Sequence, residues 1–230
     1  MTPTDPPPPL SAPEAIVRRR AARRFDPDRP LAGPLLTRVL RLATHAPSGY
    51  NLQPWRFLVV RSAGNRRKLR GCAFNQPKVS EAPVVVVVLG YQTPHRSHLP
   101  AIVDRALALG AITRETAAEI QARAGRSMGQ VPDLALWATR STMLAAATLM
   151  IAAASLGVAS APMEGFDPGR IKDEFGVPDD HTVCCLIALG YAAETRPFPG
   201  RLGLADVCYA EHFGQPWRSG GVEAAGESAP

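Results

Sequence analysis

Two stretches of this sequence combine residue types and spacings that could do chemistry. The first is VRRRAARRFD, Val17 to Asp26, with five arginines between Arg18 and Arg24. Each guanidinium is a rigid fork of N–H donors, so two or three on one helix turn and its exit could fix a phosphate and leave another for a carbonyl-rich ring. The same run could also be a solvated face or a nonspecific nucleic-acid contact. The second stretch is APSGYNLQPWRF, Ala46 to Phe57. It reads as a rigid polar loop entering an apolar strand, where backbone amides, Ser48, Asn51 and Gln53 could read the edge of a heteroaromatic ring. Little else is suited to catalysis. His95 and His98 form HxxH without a third ligand, so no metal site is expected. His45 and His181 fall at element ends, and no Ser-His-Asp or Cys-His arrangement supplies a nucleophile.

These residues need elements to position them. Ser11 and Glu14 form a capping box that predicts a helix running to Arg24, with Pro13 in its first turn and the arginine run on or at the end of that helix. Pro34 opens a second helix, apolar at Leu35, Leu36, Val39, Leu40 and Leu42 and stopped at Pro47. Beyond the polar loop, Arg56 to Arg61 reads as a strand, Asn65 to Cys72 as a short helix, and Pro83 to Gly90 (PVVVVVLG) as a strand buried on both faces. Gln92 to Gln130 is poorly patterned, with short helices near Ile102 to Leu109 and Thr113 to Ala124, and reads as a lid or insertion. Asp133 caps a long alanine-rich helix through Ala154 that Gly157 ends. Asp167, Pro168 and Gly176 bracket a short helix, and Thr182 to Gly190 is another buried strand.

Composition sets the frame. At 230 residues, 46% hydrophobic and 20% charged, the chain is long enough to bury a core and far from disordered proportions. From Glu14 to Lys78 there are 15 Lys and Arg against 3 acids, so an anionic partner is expected there: nucleic acid, an anionic membrane surface or a phosphorylated small molecule. Four cysteines, Cys72, Cys184, Cys185 and Cys208, lack metal spacing and are too few for a disulfide framework, which suggests a reducing, cytoplasmic setting. Cys184 and Cys185, adjacent in a strand, would point to opposite faces. The 23 residues from Ser141 to Met163 carry no charge, but with eight alanines and five Ser or Thr they are a weak membrane segment, so no membrane association is expected. So many small side chains suit a core or a subunit interface. Residues 1–13, with six prolines and no apolar export signal, and residues 218–230 read as disordered tails around one domain, 14–217.

The pairing of RRxxRxF (Arg19 to Phe25) with APSxxNxQPWxF resembles the FMN-dependent nitroreductase family. Further matches follow in order: AFNQPKV (Ala73 to Val79), APMEGFDP (Ala161 to Pro168), FGVP, and LGY before RPFPGR. The resemblance spans Glu14 to Phe213 and implies an α+β, three-layer fold, a mixed sheet flanked by helices in an intertwined homodimer. It implies that Arg19 and Arg20 serve the FMN phosphate or ribityl chain and Arg23 the pyrimidine edge. Pro47, Ser48 and Asn51 would reach the flavin of the partner subunit. Asn75 matches a ring-contacting Asn and Lys78 a nearby Lys, Glu164 and Gly165 a segment beside the reducible nitrogen, and Arg201 a phosphate-gripping residue. Ala21 departs from the pattern, standing where the family has Ser, His or Asp. The implied activity is an FMN-dependent NAD(P)H oxidoreductase that reduces nitroaromatics, quinones or similar small acceptors by ping-pong hydride transfer, the chemistry residing on the flavin. Alternatives are dehalogenation or flavin fragmentation at the same site, or an arginine-rich module binding anions or nucleic acid. The scarcity of aromatics near the arginine run disfavours the last, and no nucleic-acid partner is expected.

Overall fold

Valine suits a pleated surface packed on both sides, and the run Val84–Val88 lies at the centre of a four-stranded sheet. The computed structural model describes residues 8–195 and 197–218. Its helices are α1 (Ala12–Arg18), α2 (Gly33–Ala43), α3 (Ala63–Cys72), α4 (Pro77–Glu81), α5 (Pro94–Ser97), α6 (Leu99–Ala108), α7 (Arg114–Gly129), α8 (Leu134–Ser155), α9 (Pro168–Phe175) and α10 (Leu204–Val207). The strands are β1 (Trp55–Val60), β2 (Val84–Tyr91), β3 (Ala159–Met163) and β4 (His181–Gly190), in the order β1-β2-β4-β3. All three strand pairs are antiparallel, and the parallel part of the expected mixed sheet is one bridge between Ala21 and Ser160. The chain divides into two units, 1–195 and 196–230. The second holds α10 and a bridge between Tyr209 and Pro216, with the Tyr209 and Phe213 rings 4.4 Å apart.

Alternation along β2 divides the core of the first unit in two. Val84, Val86 and Val88 pack with Leu36 and Val39 of α2 and Ala146 and Leu149 of α8. Val85, Val87 and Leu89 face the other way, onto Leu69 of α3, Val79 of α4, Ile171 of α9 and Phe25. The result is the α+β three-layer arrangement. A third cluster joins Leu52 of the polar loop to Leu99 and Val103 of α6 and to Ala117, Ala124 and Met128 of α7. Asp133 caps α8 by accepting from the Leu136 N–H at 2.8 Å, and Gly157 (φ 71°) follows the helix in a left-handed turn. Of the described helices only α8 is long and apolar enough to cross a membrane, and its buried face packs on α2, β2 and β4.

Two sequence expectations are corrected. The first helix stops at Arg18 rather than Arg24, because the backbone beyond it pairs with β3: Ala21 bridges Ser160, and the Ala22 N–H donates to the Ser160 carbonyl at 3.0 Å. Cys184 and Cys185 do not face opposite ways. The register shifts between Val88 and Leu89, opposite Cys185 and Val183, so Cys184 is the unpaired residue of a β-bulge. Its Sγ lies 3.8 Å from Thr139 Oγ1 of α8, while Cys185 packs in the α2–α8 cluster, so both point to that side. Burial pushes the Cys185 thiol up to about 12. β3 occupies the end of the uncharged stretch, where the sequence announced no element. Residues 1–7 and 219–230 of the expected tails lie outside the described residues. Leu10 is held to the end of α8, its N–H donating to Ser155 O at 2.9 Å and its carbonyl accepting from Ser155 Oγ at 2.7 Å.

Gly190, where β4 leaves the sheet, has no room for a side chain: a Cβ there would sit 2.5 Å from Pro83 Cδ and 3.1 Å from Phe25 Cδ1. Both neighbours are fixed by the core, so Gly190→Ala overpacks it and should destabilise the fold by about 1–3 kcal/mol, read as a lower urea midpoint with an unchanged m value.

Candidate active site

The arginine segment is held at both ends. Phe25, 2% exposed, enters the core, the Asp26 N–H donates to Tyr191 O at 2.9 Å, and the Ala193 N–H donates to Arg24 O at 3.1 Å. Arg24 grips Glu81 at the end of α4 through Nε, 2.8 and 3.0 Å from the two carboxylate oxygens, and Glu81 also accepts from the Phe25 N–H at 3.3 Å. That contact docks the segment on α4, one turn from Lys78. Arg24 is thereby a positioning residue, whereas Arg23 and Lys78 form no ion pair with an acid among the described residues. Lys78 is held below its ordinary pKa first by burial and then by the Arg23 charge, so two cations lie together uncompensated. Arg19 and Arg20 are half-buried at the start of the segment, with Arg20 Nη1 donating to Val17 O and to Arg19 O.

A turn between α3 and α4 presents Phe74 and Asn75, both with positive φ (50° and 56°). It is fixed by Arg70, whose Nε donates to Asn75 O at 3.1 Å, and by the Asn75 N–H donating to Arg70 O at 3.0 Å. The Gln76 side chain reaches across to Gly165 O at 2.8 Å, and the Asp167 N–H donates to Cys72 O at 2.8 Å. The exit of β3, carrying exposed Glu164 and Gly165, is therefore tied to the turn that carries Asn75. The structure thus gathers Arg19, Arg20, Arg23, Asn75, Lys78, Glu164 and Gly165 on three adjoining segments beside one sheet edge. Sequence reasoning missed Glu81, Arg70 and Gln76, which position the site; Gln76 alone gave a signal, as a member of AFNQPKV.

Pro47, Ser48 and Asn51 lie elsewhere. Their loop leads into β1, at the opposite sheet edge from β3 and three strand spacings, about 14 Å, away. Tyr50, Asn51 and Gln53 hold φ of 52°, 53° and 47°, and the turn is braced by the Gln53 N–H donating to Ser48 Oγ at 2.9 Å and Gln53 Nε2 donating to Asn51 O at 3.1 Å. Ala46 and Trp55 anchor it against Ala145 of α8. Among the described residues, no hydrogen bond links this loop to the arginine segment, α4 or β3. Arg201 belongs to the second unit, where its Nη1 donates to Gly200 O at 2.7 Å. No group of three or more potential metal ligands occurs among the described residues.

Residues 16–191 match the model of the nitroreductase family. A protein named NADH dehydrogenase from Thermus thermophilus is 37% identical over 200 residues, 87% of this chain and 96% of its own length. The oxygen-insensitive NAD(P)H nitroreductase of Salmonella typhimurium is 25% identical over 186 residues, 76% of this chain and 86% of its own. A protein assigned as a nitroreductase from Exiguobacterium sibiricum, solved in complex with FMN, superposes with a TM-score of 0.82 at 27% identity, covering 89% of this chain and 99% of its own. With its fold and its ordered motifs, the chain belongs to the nitroreductase family.

The Arg23–Lys78 neighbourhood is directly measurable. Arg23→Ala removes one of the two causes that depress Lys78, so its pKa should rise toward the ordinary lysine value, read by NMR titration of the ε-methylene; an unmoved titration would place the two charges apart.

Proposed function

We propose that this chain is an FMN-dependent NAD(P)H oxidoreductase that reduces nitroaromatics, quinones or similar electron-poor acceptors by ping-pong hydride transfer, as a cytoplasmic homodimer. The carrying observation is the Arg23–Lys78 pair: two adjoining cations that form no ion pair among the described residues fit a bound group that gains negative charge at one edge. The neighbouring groups suit the remainder of such a cofactor. Arg19 and Arg20 supply guanidinium donors for a phosphate and its chain, Asn75 an amide for a ring edge, and Gly165 a backbone with no side chain between it and a ring face. FMN, when bound, supplies the two-electron chemistry, accepting hydride from NAD(P)H and passing it to the acceptor. Arg23 and Lys78 then offset the charge that reduction brings to the pyrimidine edge, which raises the potential. The site is open, since Arg23, Asn75, Glu164 and Gly165 are all exposed.

The placement of Pro47, Ser48 and Asn51 supports the homodimer. They lie at the far edge of their own sheet, and a second copy could bring them to the first copy's Arg23 and Gly165. The outer stripe of α8, with Leu136 and Leu144 at 44% and 48% exposure, and Ile16 and Val17 of α1 at 58% each, offer the apolar surface such a pairing would cover.

Purified protein should carry flavin absorption near one FMN per chain, bleached by NAD(P)H under nitrogen and restored by an acceptor, and should sediment as a dimer. Arg23→Ala should weaken FMN binding about tenfold or more, the scale of a lost charge-assisted hydrogen bond, and lower the reduction potential. A colourless protein that neither takes up FMN nor is reduced would overturn the proposal.

A further inference from the structure

A second cluster of titratable groups lies at the sheet end beneath the α5–α7 segment, away from the Arg23 site. Tyr91, the last residue of β2, stacks on His181 of β4 with ring centroids 4.8 Å apart and meets His98 edge-on at 5.3 Å. His98 joins α5 to α6. Arg56 of β1, half-buried and with no carboxylate partner among the described residues, places Nη2 3.2 Å from His98 Nδ1 and 3.1 Å from His98 Nε2. Its other terminal nitrogen donates to Gln53 O at 3.1 Å and to Trp55 O at 2.8 Å. One guanidinium therefore spans the junction of α5 and α6 and the loop of Pro47, Ser48 and Asn51. Two contacts run in parallel: Leu52 packs with Leu99 and Val103, and Tyr50 Oη is 2.9 Å from Ser127 Oγ of α7.

Nη2 lies nearly equidistant from both ring nitrogens, so the guanidinium rests against the imidazole as a whole; a neutral ring tolerates it there, whereas an imidazolium sets a like charge directly against it. We propose that Arg56 and His98 form a proton-sensitive strut: with His98 neutral the pair holds α5–α7 against the sheet and keeps the Pro47–Asn51 loop in place, and protonation of His98 releases both. Arg56 is a positioning residue in this scheme, and the link to the flavin site rests on the proposed function.

The electrostatic surroundings agree. His98 is held below the ordinary histidine value by burial, then by Arg56, then by His181. Asp180 accepts from or pairs with His181 Nδ1 at 2.7 Å, leaving no carboxylate on His98 itself. On α5, His95 is also lowered by burial and by Arg96, and the charged side chains of α6 and α7 are all exposed. A depressed histidine contributes its stability above the open-state pKa and loses it as pH falls below that value, so the strut is intact at neutral pH and weakens below about pH 6.5.

Amide hydrogen exchange of the full-length protein as purified, corrected for intrinsic rates, tests this in peptides spanning 46–56 and 94–130. At about pH 5.5, one unit below the open-state value, both segments should lose up to about tenfold protection relative to pH 8. His98→Asn, which keeps an acceptor and cannot charge, should hold its protection across the range; His98→Gln serves if that variant does not fold. Protection independent of pH in the wild type, release of 94–130 without 46–56, or an unchanged pH response in the folded His98 variant would each overturn the strut. Because the readout involves no flavin, its failure leaves the FMN reading standing, and a protein that binds no FMN leaves the strut measurable.

Discussion

The structure is organised by the double burial of β2. A strand with no solvent face must be apolar at every position, and each of its faces needs a separate cover. The cover on one side is α2 and α8; on the other it is α3, α4, α9 and the ring of Phe25. Phe25 is the consequential member, because it is delivered by a segment with no helix or strand of its own. Its burial draws residues 19–26 across the edge of β3, and the arginines are arrayed along that edge as a result. The site is thus a by-product of completing the core, and Glu81 fixes its register by holding both Arg24 and the Phe25 amide.

At the β1 edge a different logic applies. The Pro47–Asn51 loop has little core of its own and stores left-handed backbone at three non-glycine residues. It persists because it is clamped from three sides: Trp55 and Ala46 on α8, Leu52 under α6 and α7, and the Arg56 guanidinium across its Gln53 carbonyl. A loop over-determined in this way is pre-organised for a ligand, and it inherits the stability of whatever clamps it.

Much of the fold was legible in the sequence. The Ser11–Glu14 capping box, Pro168, Gly176 and the two apolar runs carry local chemistry that tertiary context did not override. The arginine run was not legible as an extended segment, because its helix propensity is good and the competing partner, the Ser160 backbone, lies about 140 residues away in a sheet. Nor was β3: Ala159–Met163 has little β-branched character and includes Pro162, tolerated because β3 is an edge strand that need not donate there. The bulge at Cys184 escaped for the same reason, being set by register against β2. Of the candidate site, the residue types were legible and their grouping came only with the family resemblance; Glu81, 57 residues from Arg24, bore no local signal.

The distribution of charge at the candidate site separates Arg24, which is paired, from Arg23 and Lys78. Within one turn of backbone, Arg24 is matched by Glu81 while Arg23 and Lys78 form no ion pair among the described residues. An evenly solvated arginine face would carry no such division. Keeping two cations adjacent and one of them half-buried costs stability in the free protein, and in the proposed function a ligand carrying the opposite charge offsets that cost. In the proposed function the excess positive charge of residues 14–78 therefore acts through its arrangement rather than its amount: one arginine fixes the segment, and the two cations beside it face the anion.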